Sequence, residues 1–201
     1  MLGPLTNTIQ GVVNFTWPML IISVVIMISV RITYLIKKHV KVVLYKELLM
    51  LVFAIYILCL FQVVTFQDSS SISGNNYIPF QEILRYKITS RLFIKNVIGN
   101  MIMFLPFGFF ISYYIDSETI HLPIILTLIA SSAIEIVQSL IGRVFDIDDI
   151  ILNLLGGAFG YMIYHVLRGL GEKVPKVFHN EWFLNISSVL ALIGLFMLLV
   201  Y

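Results

Sequence analysis

Ionisable and amide side chains recur inside the apolar stretch from Ser131 to Gly160. Glu135 and Gln138 occur in its first apolar run, and Asp149 and Asn153 occur in its second. A charged side chain at the centre of a bilayer costs about 2.5–3.5 kcal/mol on insertion scales, so such residues mark a candidate functional site by default. Carboxylates in this setting are candidate general acids or bases, and the amides are candidate ligand contacts.

A short turn between the two apolar runs carries further charges. It begins at Arg143, and Asp146, Asp148 and Asp149 follow. We predict that Asp146 is the N-cap of the next helix, with Asp148 and Asp149 in its electropositive first turn, which is a structural explanation for part of the acidic cluster. Successive side chains on a helix point about 100° apart, so we expect Asp148 to point away from Asp149 and to contribute little.

The composition indicates that membrane-spanning helices position these residues. Of the 201 residues, 59% are hydrophobic and 12% are charged, and the mean hydropathy is +0.97. These values are typical of a polytopic membrane protein. The net charge of +2 is too small to indicate a nucleic-acid partner. Cys59 is the only cysteine, so the chain has neither an intramolecular disulfide nor a multi-cysteine metal site.

Six apolar runs of about 20 residues are each long enough to cross the hydrocarbon core as a helix. We therefore predict an all-α polytopic bundle with six transmembrane spans. The predicted spans are Phe15–Ile36, Glu47–Phe66, Ile94–Ile115, Leu122–Ile141, Asp149–Leu167 and Trp182–Tyr201.

Basic residues near the helix ends predict the orientation of the bundle. The positive-inside rule assigns the more basic side to the cytoplasm. That side has Arg31, Lys37, Lys38, Lys41, Lys46, Arg168, Lys173 and Lys176, and the other side has Arg85, Lys87, Arg91, Lys95 and Arg143. The prediction therefore places the polar residues on the extracytoplasmic side.

Polar residues form stripes on the third, fourth and fifth predicted spans. Because successive spans are antiparallel, the start of the third, the end of the fourth and the start of the fifth lie at one membrane face. The stripes contain Asn96 and Asn100 in the third span, Thr127, Ser131, Glu135, Gln138 and Gly142 in the fourth, and Asp149 and Asn153 in the fifth. Gly156 and Gly160 continue the last stripe and predict a close approach of another helix backbone.

The segment before the third span has a different pattern. It is apolar at Ile83, Leu84 and Ile88, with basic residues between these positions. This alternation predicts a short helix that lies in the membrane interface, with its basic residues near lipid phosphates.

Four blocks of residues resemble the VanZ-like family. They are Asn76-x-x-Pro79-Phe80, Asn100-x-x-x-Phe104-x-Pro106-Phe107-Gly108, Glu135-x-x-Gln138, and Arg143-x-x-Asp146-x-x-Asp149-x-x-x-Asn153-x-x-Gly156-Gly157-x-x-Gly160. The resemblance covers residues 47–167 and predicts that this region is a VanZ-like transmembrane domain. Residues 1–46 then form an additional N-terminal span and a basic cytoplasmic loop, and residues 168–201 form a basic cytoplasmic linker and a C-terminal span.

The namesake of that family is a membrane protein associated with resistance to the glycopeptide antibiotic teicoplanin. The resemblance therefore implies a protein of the bacterial plasma membrane that reduces susceptibility to glycopeptides. Its candidate partners are membrane lipids, a lipid-linked cell-wall precursor and the antibiotic itself.

Several functions remain open for the polar cluster. In the first, an outward-facing polar pocket binds a cell-wall precursor, a lipid or the antibiotic. In the second, an intramembrane enzyme modifies a lipid-linked envelope substrate, with Glu135 and Asp149 as acid–base groups. In the third, the cluster only holds helices together, with Glu135 paired to Arg143, and a small transporter is a further alternative. The candidate binding residues are Asn76, Pro79, Phe80, Asn100, Gln138, Arg143, Asp146 and Asn153.

The sequence has no motif for a cofactor or a metal. It lacks an HExxH zinc motif, a phosphate-cradling glycine loop and a Ser-His-Asp set. Histidine is also absent from the acidic cluster, so we expect neither a cofactor nor a metal ion there.

Overall fold

The computed structural model describes residues 3–39, 41–66, 75–171 and 180–200. Within these ranges the regular structure is entirely helical, which confirms the predicted all-α class. The helices are α1 (Gly3–Lys38), α2 (Leu44–Phe66), α3 (Gln81–Arg85), α4 (Arg91–Phe93), a π-helical turn (Ile94–Ile98), α5 (Gly99–Ile115), α6 (His121–Leu140), α7 (Ile147–Gly171) and α8 (Glu181–Val200).

Five of the described helical stretches are long and apolar enough to cross a membrane. They are Trp17–Lys38, Leu44–Gln62, Arg91–Ile115, His121–Leu140 and Ile147–Gly171. The sixth predicted span, Trp182–Tyr201, falls on α8, whose shorter apolar stretch is Glu181–Gly194. The six-span prediction is roughly consistent with this architecture.

The chain forms two compact units, of which the first comprises Met1–Gln62 and Lys173–Tyr201. Within it, the Arg31 guanidinium donates to both carboxylate oxygens of Glu47, at 2.7 and 2.9 Å, and so joins α1 to α2. A groove of about 610 Å³ between these two helices is lined almost entirely by apolar side chains. The groove therefore suits hydrocarbon and lies in a different unit from the predicted polar site.

The second unit is Val63–Glu172, and its tightest packing is between α5 and α7. A Cβ atom placed on Gly156 would collide with the backbone carbonyl of Met101, and one on Gly160 would collide with that of Leu105. The predicted close approach at these two glycines is thus confirmed, and α5 is the partner. Apolar burial does not drive helices together within lipid, so such contacts depend on close van der Waals packing. Small residues allow the two backbones to approach closely enough for that packing.

Helix α6 turns its polar face into the second unit. Thr127, Ser131, Glu135 and Gln138 are all buried, whereas apolar side chains such as Leu140 are exposed. This arrangement confirms the predicted stripe and suits a helix whose other face contacts lipid. It brings the polar side chains of α6 against α7.

Gly142 terminates α6 rather than extending the stripe along it, so this detail of the prediction is wrong. The helix ends at Leu140, and Gly142 has a left-handed φ of 84°. Its N–H donates to the Ser139 carbonyl at 3.2 Å, while the Arg143 N–H donates to the Gln138 carbonyl at 2.9 Å. This pair of hydrogen bonds is a Schellman motif, for which glycine is the favoured residue.

The helix that contains α5 starts irregularly. Residues Ile94–Ile98 form a π-helical turn in which the Gly99 N–H donates to the Ile94 carbonyl. The helix then continues through Pro106 to Ile115. Such turns are rare and are often found at functional sites, and this one ends two residues before Asn100.

The predicted interfacial helix before α5 is much shorter than the pattern indicated. Helix α3 covers only Gln81–Arg85, and α4 covers only Arg91–Phe93. Ile88 lies in the turn between them. A short helix is therefore present as predicted, but it ends before Ile88.

Candidate functional site

Asp148 anchors the segment that precedes α5. Its carboxylate is 1% exposed and accepts backbone N–H groups from Phe80 at 2.5 Å, Glu82 at 2.7 Å and Ile83 at 3.1 Å. These groups lie at the N-terminus of α3, where Phe80 itself makes no capping hydrogen bond through its side chain. Asp148 therefore caps α3 from another helix. The expectation that Asp148 contributes little is wrong, because its side chain points to a buried contact rather than to open space.

Asn76 joins the same segment to the start of α7. Its N–H donates to the Phe145 carbonyl at 2.8 Å, and its own carbonyl accepts the Ile147 N–H at 3.1 Å. These contacts form an isolated parallel β-bridge between Asn76 and Asp146. The Asn76 side chain also donates from Nδ2 to Asp146 Oδ1 at 2.8 Å. The segment is thus held by main-chain as well as side-chain contacts.

Asp146 is the N-cap of α7, as predicted. Its Oδ1 accepts the Asp148 N–H at 2.9 Å, which is the contact that an N-cap side chain makes with the second residue of a helix. Burial raises the pKa of Asp146, while the hydrogen bonds from Asp148 and Asn76 oppose that rise. The capping contact therefore explains the position of this carboxylate without a ligand.

Glu135 connects α6 to this turn. The carboxylate is 1% exposed, and its Oε2 accepts the Asp146 N–H at 3.0 Å. Because Asp146 is itself fixed as the N-cap of α7, the Glu135 side chain is held in one position. The positive charge of Arg143 also acts on the Glu135 carboxylate.

Asp149 connects α7 to α5. Its Oδ1 accepts a short hydrogen bond from Asn100 Nδ2, just after the π-helical turn. Glu135 lies close enough for its charge to act on Asp149, and Arg143 acts on it as well. Carboxylates from two neighbouring helices therefore interact, and each accepts a hydrogen bond from the protein.

Asn153 forms the layer next to these carboxylates, one helical turn further along α7. It is 4% exposed, and its Nδ2 donates to the Ser131 hydroxyl at 2.9 Å. In the part of the chain that the structure describes, its buried Oδ1 has no hydrogen-bond partner. Ser131 is one turn from Glu135 on α6, so the amide lies beside the carboxylate layer and has acceptor capacity left.

The remaining predicted residues are placed differently. Gln138 is buried on α6, whereas Pro79 and Phe80 are exposed, and only the backbone of Phe80 contacts the cluster. Asn96, which the sequence places one turn before Asn100, donates to the Tyr86 hydroxyl at 2.9 Å.

Three helices, α5, α6 and α7, and two connecting segments thus position a set of polar side chains, which we call the polar cluster. It comprises Asn76, Asn100, Ser131, Glu135, Gln138, Arg143, Asp146, Asp148, Asp149 and Asn153. Sequence reasoning missed the role of Asp148, and no local pattern could have revealed it. The only available signal was its position beside the predicted N-cap, and the favourable placement of an acidic residue in the first turn of a helix already explained that position.

The cluster is rich in hydrogen-bond acceptors. It has four carboxylates, those of Glu135, Asp146, Asp148 and Asp149, and the positive charge of Arg143 acts on Glu135 and Asp149. Among the described residues, no group of three or more His, Cys, Asp or Glu side chains has an arrangement that could hold a metal ion. The chemistry available is therefore acceptance of hydrogen bonds from a polar ligand, or proton transfer through the carboxylates.

Comparison with known proteins gives one match. A model of the VanZ/LLP1 family matches residues 48–168, which is more than half of the chain and includes the whole polar cluster. Neither the curated proteins nor the solved structures include a match to this chain.

Proposed function

The chain belongs to the VanZ/LLP1 family of membrane proteins, which is linked to glycopeptide resistance, and we propose that it lowers bacterial susceptibility to glycopeptides such as teicoplanin. The proposal places the protein in the plasma membrane, with the polar cluster on the extracytoplasmic side. That orientation follows from the distribution of basic residues along the chain. It would give the cluster access to cell-wall material at the surface.

We further propose that the polar cluster binds the polar part of a lipid-linked cell-wall precursor, a lipid or the antibiotic. The observation that carries this proposal is the convergence of Asn100, Glu135 and Asp149 from three helices, beside the unpartnered Oδ1 of Asn153. A buried acceptor without a partner is unfavourable unless a ligand or water donates to it. A ligand rich in O–H and N–H groups, such as a sugar or a peptide, matches this surplus of acceptors.

An intramembrane enzyme is the alternative that one specific observation favours. Glu135 and Asp149 come from different helices and interact electrostatically, as two carboxylates with acid and base roles would. The two functions differ in a simple assay. Purified protein incubated with a lipid-linked cell-wall precursor would convert it if the protein is an enzyme, and would only retain it if the protein is a binding module.

Two substitutions, Glu135→Gln and Asp149→Asn, test whether the polar cluster has a role in tolerance in addition to helix packing. Each change keeps the side-chain shape and an oxygen that accepts the existing hydrogen bond, so the protein should accumulate in the membrane at near wild-type level. We expect both variants to lose the teicoplanin tolerance that the wild-type chain confers on a sensitive host. The measurements are the minimum inhibitory concentration and the amount of protein in the membrane.

The matched control is Glu118→Gln, which changes an exposed carboxylate in the loop between α5 and α6. Tolerance should be unchanged in this variant. Retention of tolerance in both cluster variants would contradict the proposed site. Loss of tolerance only together with loss of the protein would instead assign the cluster a packing role.

Thiol labelling tests the proposed orientation. Thr89 and Glu118 are both exposed, and they lie at opposite ends of the helix that leads from α4 into α5. In a Cys59→Ser background, Thr89→Cys should react with a membrane-impermeant maleimide in intact cells, and Glu118→Cys should react only after the cells are opened. The reverse pattern would place the polar cluster on the cytoplasmic side and exclude surface cell-wall material as its ligand.

A further inference from the structure

The segment from Tyr77 to Lys95 presents apolar side chains that are exposed in the described part of the second unit. Leu84 is 81% exposed and Ile88 is 77% exposed. Tyr77, Ile78, Phe80, Leu92 and Ile94 are also exposed. Contiguous apolar exposure of this kind is unfavourable in water and marks a surface that contacts another molecule or a membrane.

The same segment is strongly basic. It contains Arg85, Lys87, Arg91 and Lys95 but only one carboxylate, that of Glu82. Arg85 pairs with Glu82 at 3.1 Å, yet its side chain remains 65% exposed. The other three basic residues are exposed as well. The segment therefore combines apolar contact area with a net positive charge.

The position of the segment identifies what faces it. Asp148 and Asn76 fix its first part to the start of α7, and its last part runs directly into α5. The candidate membrane spans Arg91–Ile115 and Ile147–Gly171 both begin at this level, which is therefore one end of the apolar helices. An anchored segment at this level lies along the boundary between lipid headgroups and acyl chains.

We propose that Tyr77–Lys95 is a docking surface for the anionic phospholipids of the surrounding bilayer. Leu84 and Ile88 insert among the upper acyl chains, while Lys87, Arg91 and Lys95 contact lipid phosphates. The long aliphatic stems of lysine and arginine allow the charged groups to reach the headgroups while the stems stay in apolar surroundings. Each basic residue near an anionic membrane surface is expected to raise the affinity of the segment for that surface about five-fold. The inference does not depend on the proposed role in glycopeptide susceptibility.

The test uses the full chain, reconstituted into vesicles, with an environment-sensitive fluorophore on a single cysteine. The labelled positions are Leu84→Cys and Ile88→Cys in a Cys59→Ser background, and Glu118→Cys is the exposed polar control. The vesicles contain phosphatidylcholine alone or phosphatidylcholine mixed with phosphatidylglycerol. We expect the labels at 84 and 88 to emit at shorter wavelength than the control and to be quenched by nitroxide-bearing lipids. Both effects should be stronger in the anionic vesicles.

The charge requirement is tested with the triple variant Lys87→Gln, Arg91→Gln and Lys95→Gln. Arg85 is left unchanged because it pairs with Glu82. In this variant, the difference between neutral and anionic vesicles should disappear, although the labels remain shielded from water. High salt should reduce the same difference in the unchanged chain.

Three outcomes would overturn the proposal. Emission at 84 and 88 that matches the control would show that the segment lies in water. Equal signals in neutral and anionic vesicles, with no effect of the triple variant, would exclude a preference for anionic phospholipids. Shielding that weakens as the protein is diluted in lipid would assign the surface to a second copy of the chain.

Discussion

Replacing Asp148 by asparagine is expected to lower the stability of the protein by about 2–5 kcal/mol, because a buried charged acceptor of three backbone N–H groups is lost. An asparagine side chain offers one oxygen, and its amide would face at least one backbone donor. The measurements are the midpoint of thermal unfolding in detergent and the rate of proteolysis between residues 76 and 90. Both should change together, since the carboxylate holds that segment.

The matched control is Asp149→Asn, the same chemical change at the next position. Asp149 accepts a hydrogen bond from the side chain of Asn100, and an asparagine oxygen can accept the same bond. Its replacement should therefore leave the unfolding midpoint and the rate of proteolysis nearly unchanged. Equal unfolding midpoints for the Asp148 variant and the wild-type chain would show that the three N–H groups are satisfied without the carboxylate. Asp148 would then lose its assigned role as the cap of α3.

Adding a single methyl group at Gly156 or Gly160 should destabilise the contact between α5 and α7. The new Cβ would collide with the backbone of Met101 or Leu105, so the helices must move apart. Overpacking of this kind typically costs about 1–3 kcal/mol, and a backbone neighbour cannot move aside as a side chain can. We expect Gly156→Ala and Gly160→Ala to lower both the unfolding midpoint and the amount of protein in the membrane.

Gly169→Ala is the control on the same helix, because nothing lies within 4 Å of a Cβ at that position. Alanine favours a helix over glycine by about 1 kcal/mol in water, so this change should be neutral or stabilising. A lower unfolding midpoint at Gly156 and Gly160, with an equal or higher midpoint at Gly169, would show that the contact between helices outweighs helix propensity. A similar response at all three glycines would contradict the close contact between α5 and α7.

The features predicted well are those that depend on local pattern. Hydropathy and length determine the spans, and the spacing of Ser131 and Glu135 determines the buried face of α6. The N-cap at Asp146 and the glycine contact at Gly156 also follow from residues within one or two turns. In each case the sequence signal lies in one short stretch, although the partner of Gly156, Met101, is on another helix.

The features that were missed depend on distant or unpatterned contacts. Asp148 meets backbone N–H groups of residues more than 60 positions earlier, and these donors have no sequence signature. The π-helical turn at Ile94–Ile98 likewise has no composition of its own. The pairing of Asn96 with Tyr86 requires the fold of the connecting segment between α3 and α4, which the sequence pattern does not specify.

The contact between Asp148 and α3 limits the amino-acid sequence of the segment around α3 less than its position in the fold suggests. The hydrogen bonds described for this carboxylate all come from main-chain N–H groups, so they do not depend on the side chains of Glu82 and Ile83. Phe80 is the exception, because its left-handed φ of 67° favours glycine or asparagine over most other residues. The hydrogen bonds that hold the segment are therefore independent of most of its exposed side chains. An engineer could exchange exposed side chains of this segment for those of another loop and leave the helices that hold it untouched.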